Sequence, residues 1–192
     1  MSTTQPIRNP EELELFKNYY EKIQPHPRNS LLIHLGINTA LRISDLLCLT
    51  WKDVYDFETN TFRNHLNITE HKTGKTNSIA LNTNALSALE TFFQTAASKM
   101  PEDFLFSGKE KEHPLSRYQA YRIIKKAAES SHLQGNISCH SLRKTFGYYA
   151  WKSGAQPVLL MNIYNHSSFQ ITKRYLGIDQ DDKDEIFLNV NL

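Results

Sequence analysis

The chain has few of the residues that define several protein classes. Its 192 residues include two cysteines, Cys48 and Cys139, too few for a disulfide framework or a cysteine zinc cluster. No apolar run is long enough to cross a bilayer. The polar N-terminal stretch 1–16 lacks the apolar core of a secretory signal. These absences exclude secreted disulfide scaffolds and membrane-spanning proteins, and we expect a cytoplasmic protein with reduced cysteines.

Charge is almost balanced, with a formal net charge of +2. Acidic residues are concentrated in the segment 179–185, so the rest of the chain is mildly basic, which is compatible with a polyanionic partner. The acidic segment lacks the spacing of a calcium loop, and we find no other carboxylate cluster that would hold Mg²⁺. We therefore expect neither a metal nor another cofactor.

Apolar residues recur at helical spacing over most of the chain. Asn9-Pro10 and Ser116 are helix-start signals, and Gly154 suits the end of a helix that begins at Ser138 or Cys139. Further helices are predicted over about 28–39, near Arg42, and over about 84–98, 117–130, 157–164, 168–175 and 180–188.

A short β-hairpin is predicted to interrupt these helices. The segment 61–69 alternates and is rich in β-forming residues, and the segment 77–81 would be the returning strand. The string Lys72-Thr-Gly-Lys75 between them is typical of a turn, with Gly74 available for a positive φ. The sequence thus predicts one domain over residues 1–192 that is mainly α with a small antiparallel β-sheet (α+β).

Two segments of the first half contain cations with candidate chemistry. Arg42 lies in the apolar string Thr39-Ala-Leu-Arg42-Ile-Ser-Asp45, where a guanidinium needs a partner. An internal Arg42–Asp45 ion pair at i,i+3 spacing is the simpler explanation. Lys72 lies in the hairpin turn, where a lysine is commonly no more than a solvated charge.

Two further segments lie in the second half. His140 and Arg143 share a helix face near its first turn, where free N–H groups and the helix dipole favour an anion. A hydrogen-bonded structural histidine is an equally good explanation. His166 precedes Tyr175 by nine residues, and in a chain with nine tyrosines an ordinary core tyrosine is the simpler explanation.

The order of these residues resembles the catalytic domain of the tyrosine recombinases, the lambda-integrase type within the phage integrase family. The matching strings are Thr39-Ala-Leu-Arg42-Ile-Ser-Asp45-Leu-Leu, Lys72-Thr-Gly-Lys, His140-Ser-Leu-Arg143-Lys-Thr-Phe, His166-Ser-Ser and Arg174-Tyr175. The resemblance extends over about 8–178. It implies the tyrosine recombinase fold and a site-specific DNA recombinase or integrase that cleaves and rejoins DNA strands without metal or ATP.

The resemblance also implies the residues that act on the scissile phosphate. Tyr175 would be the nucleophile and would form a 3′-phosphotyrosyl link. Arg42 and Arg143 would neutralise the non-bridging oxygens, a task suited to planar, permanently charged guanidinium groups. His166 would donate a further hydrogen bond to the phosphate.

Proton transfer is assigned in the same way. His140 is the candidate general base, because a phenol with a pKa near 10 needs one. Lys72 would protonate the 5′-oxygen that leaves. Lys75 is the alternative general acid, because the register of the turn cannot be read to one residue.

The basic helix predicted over about 117–130 is the candidate DNA-binding element. Arg117 and Gln119 near its start could reach base edges in a major groove, and the lysines further along would lie nearer to phosphates. A basic face that is merely solvated is the rival explanation. The candidate DNA contacts are Arg117, Gln119, Arg122, Lys125 and Lys126.

The resemblance raises questions about partners and completeness. Family members generally carry an N-terminal core-binding domain, which this chain lacks, so we expect either a minimal recombinase or a catalytic fragment with a core of about 8–178. The tail 179–192 would dock on a neighbouring subunit in a tetramer on double-stranded DNA, or would pack on its own subunit. We expect a monomer in solution, in the cytoplasm of a bacterial or phage-infected cell, with accessory DNA-bending proteins as further candidate partners.

Two alternatives to a recombinase remain open at this point. A non-catalytic relative would bind recombination sites without forming a covalent adduct. A type IB topoisomerase-like protein would use the same chemistry to relax supercoiled DNA without sequence preference.

Overall fold

The computed structural model describes residues 4–72, 74–108, 110, 112–178, 183–184 and 187–190. Within these residues the chain is mainly helical, and the first helix continues into a π-helical turn at Tyr19–Ile23. The helices are α1 (Pro10–Asn18), α2 (Pro27–Asn38), α3 (Ile43–Leu47), α4 (Trp51–Val54), α5 (Thr83–Thr95), α6 (Arg117–Ser130), α7 (Cys139–Lys152), α8 (Pro157–Tyr164) and α9 (Phe169–Leu176).

The start signals seen in the sequence operate as expected. The Asn9 side chain accepts hydrogen bonds from the backbone N–H groups of Glu11 (2.8 Å) and Glu12 (3.4 Å), at the start of α1. Ser116 forms a capping box with Gln119 at the start of α6. These local bonds satisfy backbone donors that a helix leaves free, so the predicted starts of α1 and α6 are confirmed.

In the part of the chain that the structure describes, four short strands form two separate two-stranded antiparallel sheets. Strand β1 (Tyr55–Asp56) pairs with β2 (Thr61–Phe62), and β3 (His65–Thr69) pairs with β4 (Thr76–Ala80). The prediction of one strand over 61–69 is therefore wrong. The break falls at Arg63 and Asn64, where the Arg63 N–H bonds to the carbonyl of Val54 and the Asn64 carbonyl accepts from Leu81 (2.8 and 2.9 Å).

The predicted hairpin turn is confirmed at Gly74, which has a φ of +65°. In the turn, Gly74 donates its backbone N–H to the carbonyl of Glu70 (2.8 Å), and Glu70 donates to the carbonyl of Lys75 (2.9 Å). Thr73 lies outside the described residues. The turn therefore returns the chain tightly and leaves Lys72 at its tip.

Helix α2 runs through the middle of the molecule and packs most extensively against α5 and α7. Gly36 permits the close approach to α7, because a Cβ atom there would lie 2.5 Å from Cδ1 of Leu142. Helices α8 and α9 are attached to α7 through a smaller cluster around Leu160, Tyr164, Leu176 and Ile178. Partly buried residues of α7 and α9, among them Tyr148, Trp151 and Phe169, pack against this cluster.

The helix predicted near 180–188 lies partly outside the described residues. Residues 183–184 and 187–189 are helical. Phe187, Leu188 and Val190 are 80%, 77% and 57% exposed. Among the helices of the described residues, none has the length and apolar character that crossing a membrane requires.

Candidate active site

Arg42 is the residue before α3, and its guanidinium forms an ion pair with the carboxylate of Glu70 at the end of β3. The Arg42 side chain is 19% exposed and the Glu70 side chain 4%. The alternative pair with Asp45 is wrong, because Asp45 instead accepts a hydrogen bond from the backbone N–H of His71 (3.1 Å). Both carboxylates thus tie the hairpin turn to the Arg42 segment.

Glu70 was not among the residues predicted from the sequence, although the alternation along β3 points to it. Along β3 the side chains of Leu66 and Ile68 point towards the core, and continued alternation places Glu70 on the same face. An inward-facing carboxylate needs a cation or several hydrogen-bond donors. The alternation therefore predicts that Glu70 has a buried positive partner, which the structure identifies as Arg42.

Arg143 lies in the second turn of α7 and is 5% exposed. Its guanidinium donates to the carbonyl of Ala40, two residues before Arg42, and to the carbonyl of Ile163 in α8 (3.0 Å). Burial lowers the pKa of Arg143, with the positive charge of Arg42 acting in the same direction. One buried side chain therefore links the Arg42 segment to the helix that leads to His166.

His140 lies in the first turn of α7 and is exposed. Partial burial lowers its pKa below the ordinary 6.5, and so do the positive charges of four neighbouring side chains. Those cations are Lys144, Arg143, Lys72 and Arg42. The imidazole is therefore neutral near pH 7 and is able to accept a proton.

His166 follows the end of α8, where Asn165 adopts the left-handed conformation (φ 57°, ψ 46°), which asparagine tolerates better than most residues. Nδ1 of His166 shares a hydrogen bond with Oγ1 of Thr172 (3.1 Å), a buried residue of α9. Burial, followed by the charges of Arg143 and Arg42, lowers the pKa of His166. The turn and this hydrogen bond together aim His166 towards the two arginines.

Tyr175 lies in the last turn of α9, with its ring centroid 5.3 Å from that of His166 and 5.3 Å from that of Tyr164. Burial raises the pKa of Tyr175, whereas the charges of Arg143 and Arg42 and a hydrogen bond with Arg143 lower it. The phenol is therefore protonated near pH 7, and it lies in the field of both guanidinium groups.

The two candidate lysines differ in their surroundings. Lys72 is exposed at the tip of the turn, and its charge reaches His140. The ammonium group of Lys75 donates a hydrogen bond to Oδ1 of Asn165 (2.6 Å), the residue before His166. The hairpin is thus joined to the α8–α9 turn by Lys75, which leaves Lys72 nearer to the imidazole of His140.

The structure brings the six candidate residues together from four separate parts of the chain. The ring of Tyr175 packs against that of His166. The charges of Arg42 and Arg143 act on His140, His166 and Tyr175, and the charge of Lys72 acts on His140. The six are Arg42, Lys72, His140, Arg143, His166 and Tyr175. Within the described residues, no group of three or more His, Cys, Asp or Glu side chains could hold a metal ion.

Helix α6 begins beside α3, since the charge of Arg117 reaches Cys48 and opposes the rise in pKa that burial causes in that thiol. Gln119 has its Oε1 atom engaged by the backbone N–H of Ser116 (2.8 Å). Lys125 forms an i,i+4 pair with Glu129 (3.6 Å). The side chains of Arg117, Gln119, Arg122 and Lys126 are exposed.

Comparison with known proteins places the chain in a family. Residues 8–181 match the model of the phage integrase family. The chain is 40% identical over 182 residues to the probable integrase/recombinase YoeC of Bacillus subtilis, a match that covers 94% of this chain and 93% of YoeC. It spans between 48% and 58% of the length of three curated tyrosine recombinases that it also matches.

Solved structures agree with this placement. The crystal structure of XerA recombinase superposes with a TM-score of 0.76 over 99% of this chain and 68% of XerA, at 16% identity, which shows a shared fold. The Tn1549 transposon integrase, solved in complex with a circular intermediate DNA, gives a TM-score of 0.67 at 25% identity, over 91% of this chain and 62% of the integrase. This chain belongs to the phage integrase family and is the catalytic domain of a tyrosine-type site-specific DNA recombinase.

Proposed function

We propose that the chain cleaves and rejoins DNA strands with Tyr175 as the nucleophile, through a 3′-phosphotyrosyl intermediate. One observation carries the assignment: the Tyr175 phenol lies in the field of both Arg143 and Arg42, with the ring of His166 against it. A phosphodiester anion resists attack by another anion until its charge is neutralised. Two guanidinium groups beside a phenol meet that requirement.

Each cation has a defined task in this proposal. Arg42 and Arg143 bind the non-bridging oxygens of the scissile phosphate, to which guanidinium can donate two parallel hydrogen bonds. Nδ1 of His166 and the Thr172 hydroxyl share a hydrogen bond (3.1 Å), and in this proposal the hydroxyl is the donor, so that His166 carries its proton on Nε2 and donates it to the phosphate. These groups stabilise the charge that develops on the equatorial oxygens during attack.

His140 is the proposed general base. Its lowered pKa keeps the imidazole neutral near pH 7, so that it can take the proton from Tyr175 as the phosphorus–oxygen bond forms. Tyr164 is a second phenol in the site, but its hydroxyl donates to the backbone carbonyl of Arg143 (2.7 Å). Tyr175 is therefore the better candidate nucleophile of the two.

Lys72 is the proposed general acid for the 5′-oxygen that leaves. Of the two turn lysines, Lys75 donates its ammonium group to Asn165, whereas Lys72 lies close enough to lower the pKa of His140. Attack by Tyr175 forms one phosphate ester and releases one hydroxyl. The reverse attack by a 5′-hydroxyl of another strand restores a phosphodiester, and so rejoining needs no ATP.

Double-stranded DNA is the proposed substrate. The Tn1549 integrase, which shares the fold over most of this chain, was solved on DNA. Arg117, at the start of α6, lies beside α3, which Arg42 precedes. We infer that Arg117 and Arg122 contact the duplex next to the scissile phosphate, with Lys126 on the flanking backbone.

Assembly and location are also proposals. The exposed side chains of Phe187, Leu188 and Val190 suit docking of the tail 179–192 on a neighbouring subunit in a tetramer on DNA. The segment of about 8–178 would act as one catalytic domain, monomeric without DNA. We place the reaction in the cytoplasm, where substrate DNA and any accessory DNA-bending proteins would meet it.

A nicked suicide substrate tests the assignment. A radiolabelled duplex that loses a short 5′-hydroxyl fragment after cleavage traps the covalent intermediate, which denaturing gels resolve. We expect Tyr175→Phe to form no adduct while its affinity for DNA stays within about twofold of wild type. Tyr164→Phe is the matched control phenol, and it should still form an adduct.

The possible outcomes separate the candidates. An adduct in Tyr175→Phe would show that another residue is the nucleophile. A wild-type protein that binds DNA but forms no adduct with any suicide substrate would be a non-catalytic relative. Relaxation of supercoiled plasmid without a preferred site would indicate topoisomerase-like activity.

A further inference from the structure

The N-terminal segment 4–8 lies across α7 and reaches the helix of the proposed nucleophile. Ile7 is 2% exposed, and its backbone N–H donates to Oγ1 of Thr145 in α7 (2.9 Å). The hydroxyl of Tyr149, also in α7, donates to the carbonyl of Arg8 (3.0 Å). Residues 4–8 are therefore anchored along one face of α7 before α1 begins.

Arg8 extends from this segment to the end of α9. Its Nη2 atom donates to the carbonyl of Gly177 (2.6 Å), two residues after Tyr175, and its guanidinium lies 5.6 Å from the ring centroid of Tyr148. Gly177 has a φ of +72° and ends the helix, where carbonyls lack intrahelical partners and a cation is favoured. Arg8 therefore fixes the C-terminal end of the nucleophile helix to the N-terminal segment.

Lys144 makes a second link between the same two parts of the molecule. Its ammonium group donates to the carbonyl of Thr4 (2.6 Å) and lies 5.0 Å from the ring centroid of Tyr175. A cation over an aromatic face at this distance is attractive and restrains the ring. Burial lowers the pKa of Lys144, as expected for an ammonium group enclosed between two segments.

We propose that the N-terminal segment 4–8 is a positioning element for Tyr175. The positioning residues are Arg8, in this segment, and Lys144, in α7. The inference rests on the proposed function, since it takes Tyr175 as the nucleophile. Helix α9 has eight residues, and the buried side chain of Leu176 anchors its last turn in the apolar cluster with Leu160, Tyr164 and Ile178. Arg8 and Lys144 add polar restraints at the same end of the helix. Displacing a reacting group by about 1 Å is enough to slow a reaction severely.

Single-turnover adduct formation on the suicide substrate, measured over a range of DNA concentrations, tests the proposal. Arg8→Ala should lower the maximal rate by roughly 3-fold to 10-fold, the range set by one hydrogen bond of ordinary net strength. The DNA concentration that gives half the maximal rate should not change, because Arg8 donates to Gly177 and not to DNA. Arg8→Lys retains a donor and should recover part of the rate.

A matched control and a second variant keep the result interpretable. Arg63 is also exposed and donates Nε to a backbone carbonyl, that of Lys52 (3.1 Å), in the β1–β2 region. Arg63→Ala should therefore form adduct at the wild-type rate. Lys144→Met keeps the apolar stem but removes the link to Thr4, and it should also lower the maximal rate.

Amide hydrogen exchange supplies the structural readout. In Arg8→Ala, the amides of 172–177 should exchange faster, while those of α2 should stay protected as in wild type. A wild-type rate in both Arg8→Ala and Lys144→Met overturns the proposal. So does a loss that Arg8→Lys does not recover, or faster exchange throughout the chain, because either result would indicate a general structural role.

Failure of this inference is distinguishable from failure of the proposed function. An adduct in Tyr175→Phe refutes the nucleophile assignment whatever Arg8→Ala shows. Loss of the adduct in Tyr175→Phe, combined with a wild-type rate in Arg8→Ala and Lys144→Met, refutes the role of the N-terminal segment alone.

Discussion

The ion pair between Arg42 and Glu70 gives a sharp prediction about stability. Glu70→Gln removes the negative charge and leaves the guanidinium of Arg42, which is 19% exposed, without its counter-charge. At an effective dielectric constant near 20, two charges about 4 Å apart attract by about 4 kcal/mol. Because Arg42 is partly solvated, we expect Glu70→Gln to lower the free energy of unfolding by about 3 kcal/mol.

Thermal and urea unfolding measure the effect. A loss of about 3 kcal/mol in a domain of this size corresponds to a fall in melting temperature of roughly 6–12 °C. The matched control is Glu102→Gln, which removes the partner of Lys52 in a pair whose side chains are 75% and 52% exposed. We expect the control to keep the wild-type melting temperature, since exposed pairs of this kind are well screened.

Inorganic phosphate adds a second readout. In Glu70→Gln the uncompensated guanidinium of Arg42 should bind an anion more tightly, so phosphate should raise the melting temperature of the variant more than that of wild type. If Glu70→Gln and Glu102→Gln unfold at the same temperature, Glu70 does not hold Arg42 in the folded protein and the reasoning is refuted.

Three further predictions follow from the site. Gly147→Ala should lower the melting temperature and slow adduct formation, because its Cβ atom would lie 2.4 Å from the Tyr164 hydroxyl; wild-type values would contradict this packing. The adduct rate should fall on acidification only below pH 6.5, the ordinary pKa of histidine, because His140 must be neutral to act as the base. Lys144→Met removes a positive charge that lowers the pKa of His140, so it should move this fall to higher pH. An unmoved profile argues against His140 as the base. Arg117→Ala should weaken DNA binding and reduce the slope of log affinity against log salt by about 0.9, and an unchanged slope would remove Arg117 from the phosphate contacts.

Local chemistry explains which parts of the fold could be predicted. Asn9 and Ser116 cap helices with their own side chains, so a few neighbouring residues suffice to indicate each helix start. The strand prediction over 61–69 was wrong because strand pairing is not local. The alternating pattern continues through Arg63 while the hydrogen-bond partner changes from one strand to another.

The candidate site shows the same division. Arg42 and Tyr175 were selected from the sequence because their residue types and order match a known pattern. Glu70 was missed, although strand alternation turns it inward, because its role depends on a guanidinium 28 residues away in the chain. Arg8 gave no local signal, since its acceptor is the backbone carbonyl of Gly177, and every residue type has a carbonyl.

The residue types available for phosphate chemistry, their order along the chain and the helices that carry most of them can be read from the amino-acid sequence. Residue type fixes charge, pKa and hydrogen-bond geometry, and helix signals act over a few neighbours. The folded chain was needed to show that Arg42 pairs with Glu70, that Lys75 rather than Lys72 is bound to Asn165, and that the N-terminal segment reaches α9. Those choices depend on which surfaces pack together, because a side chain takes its partner from whatever the fold brings within a few ångströms.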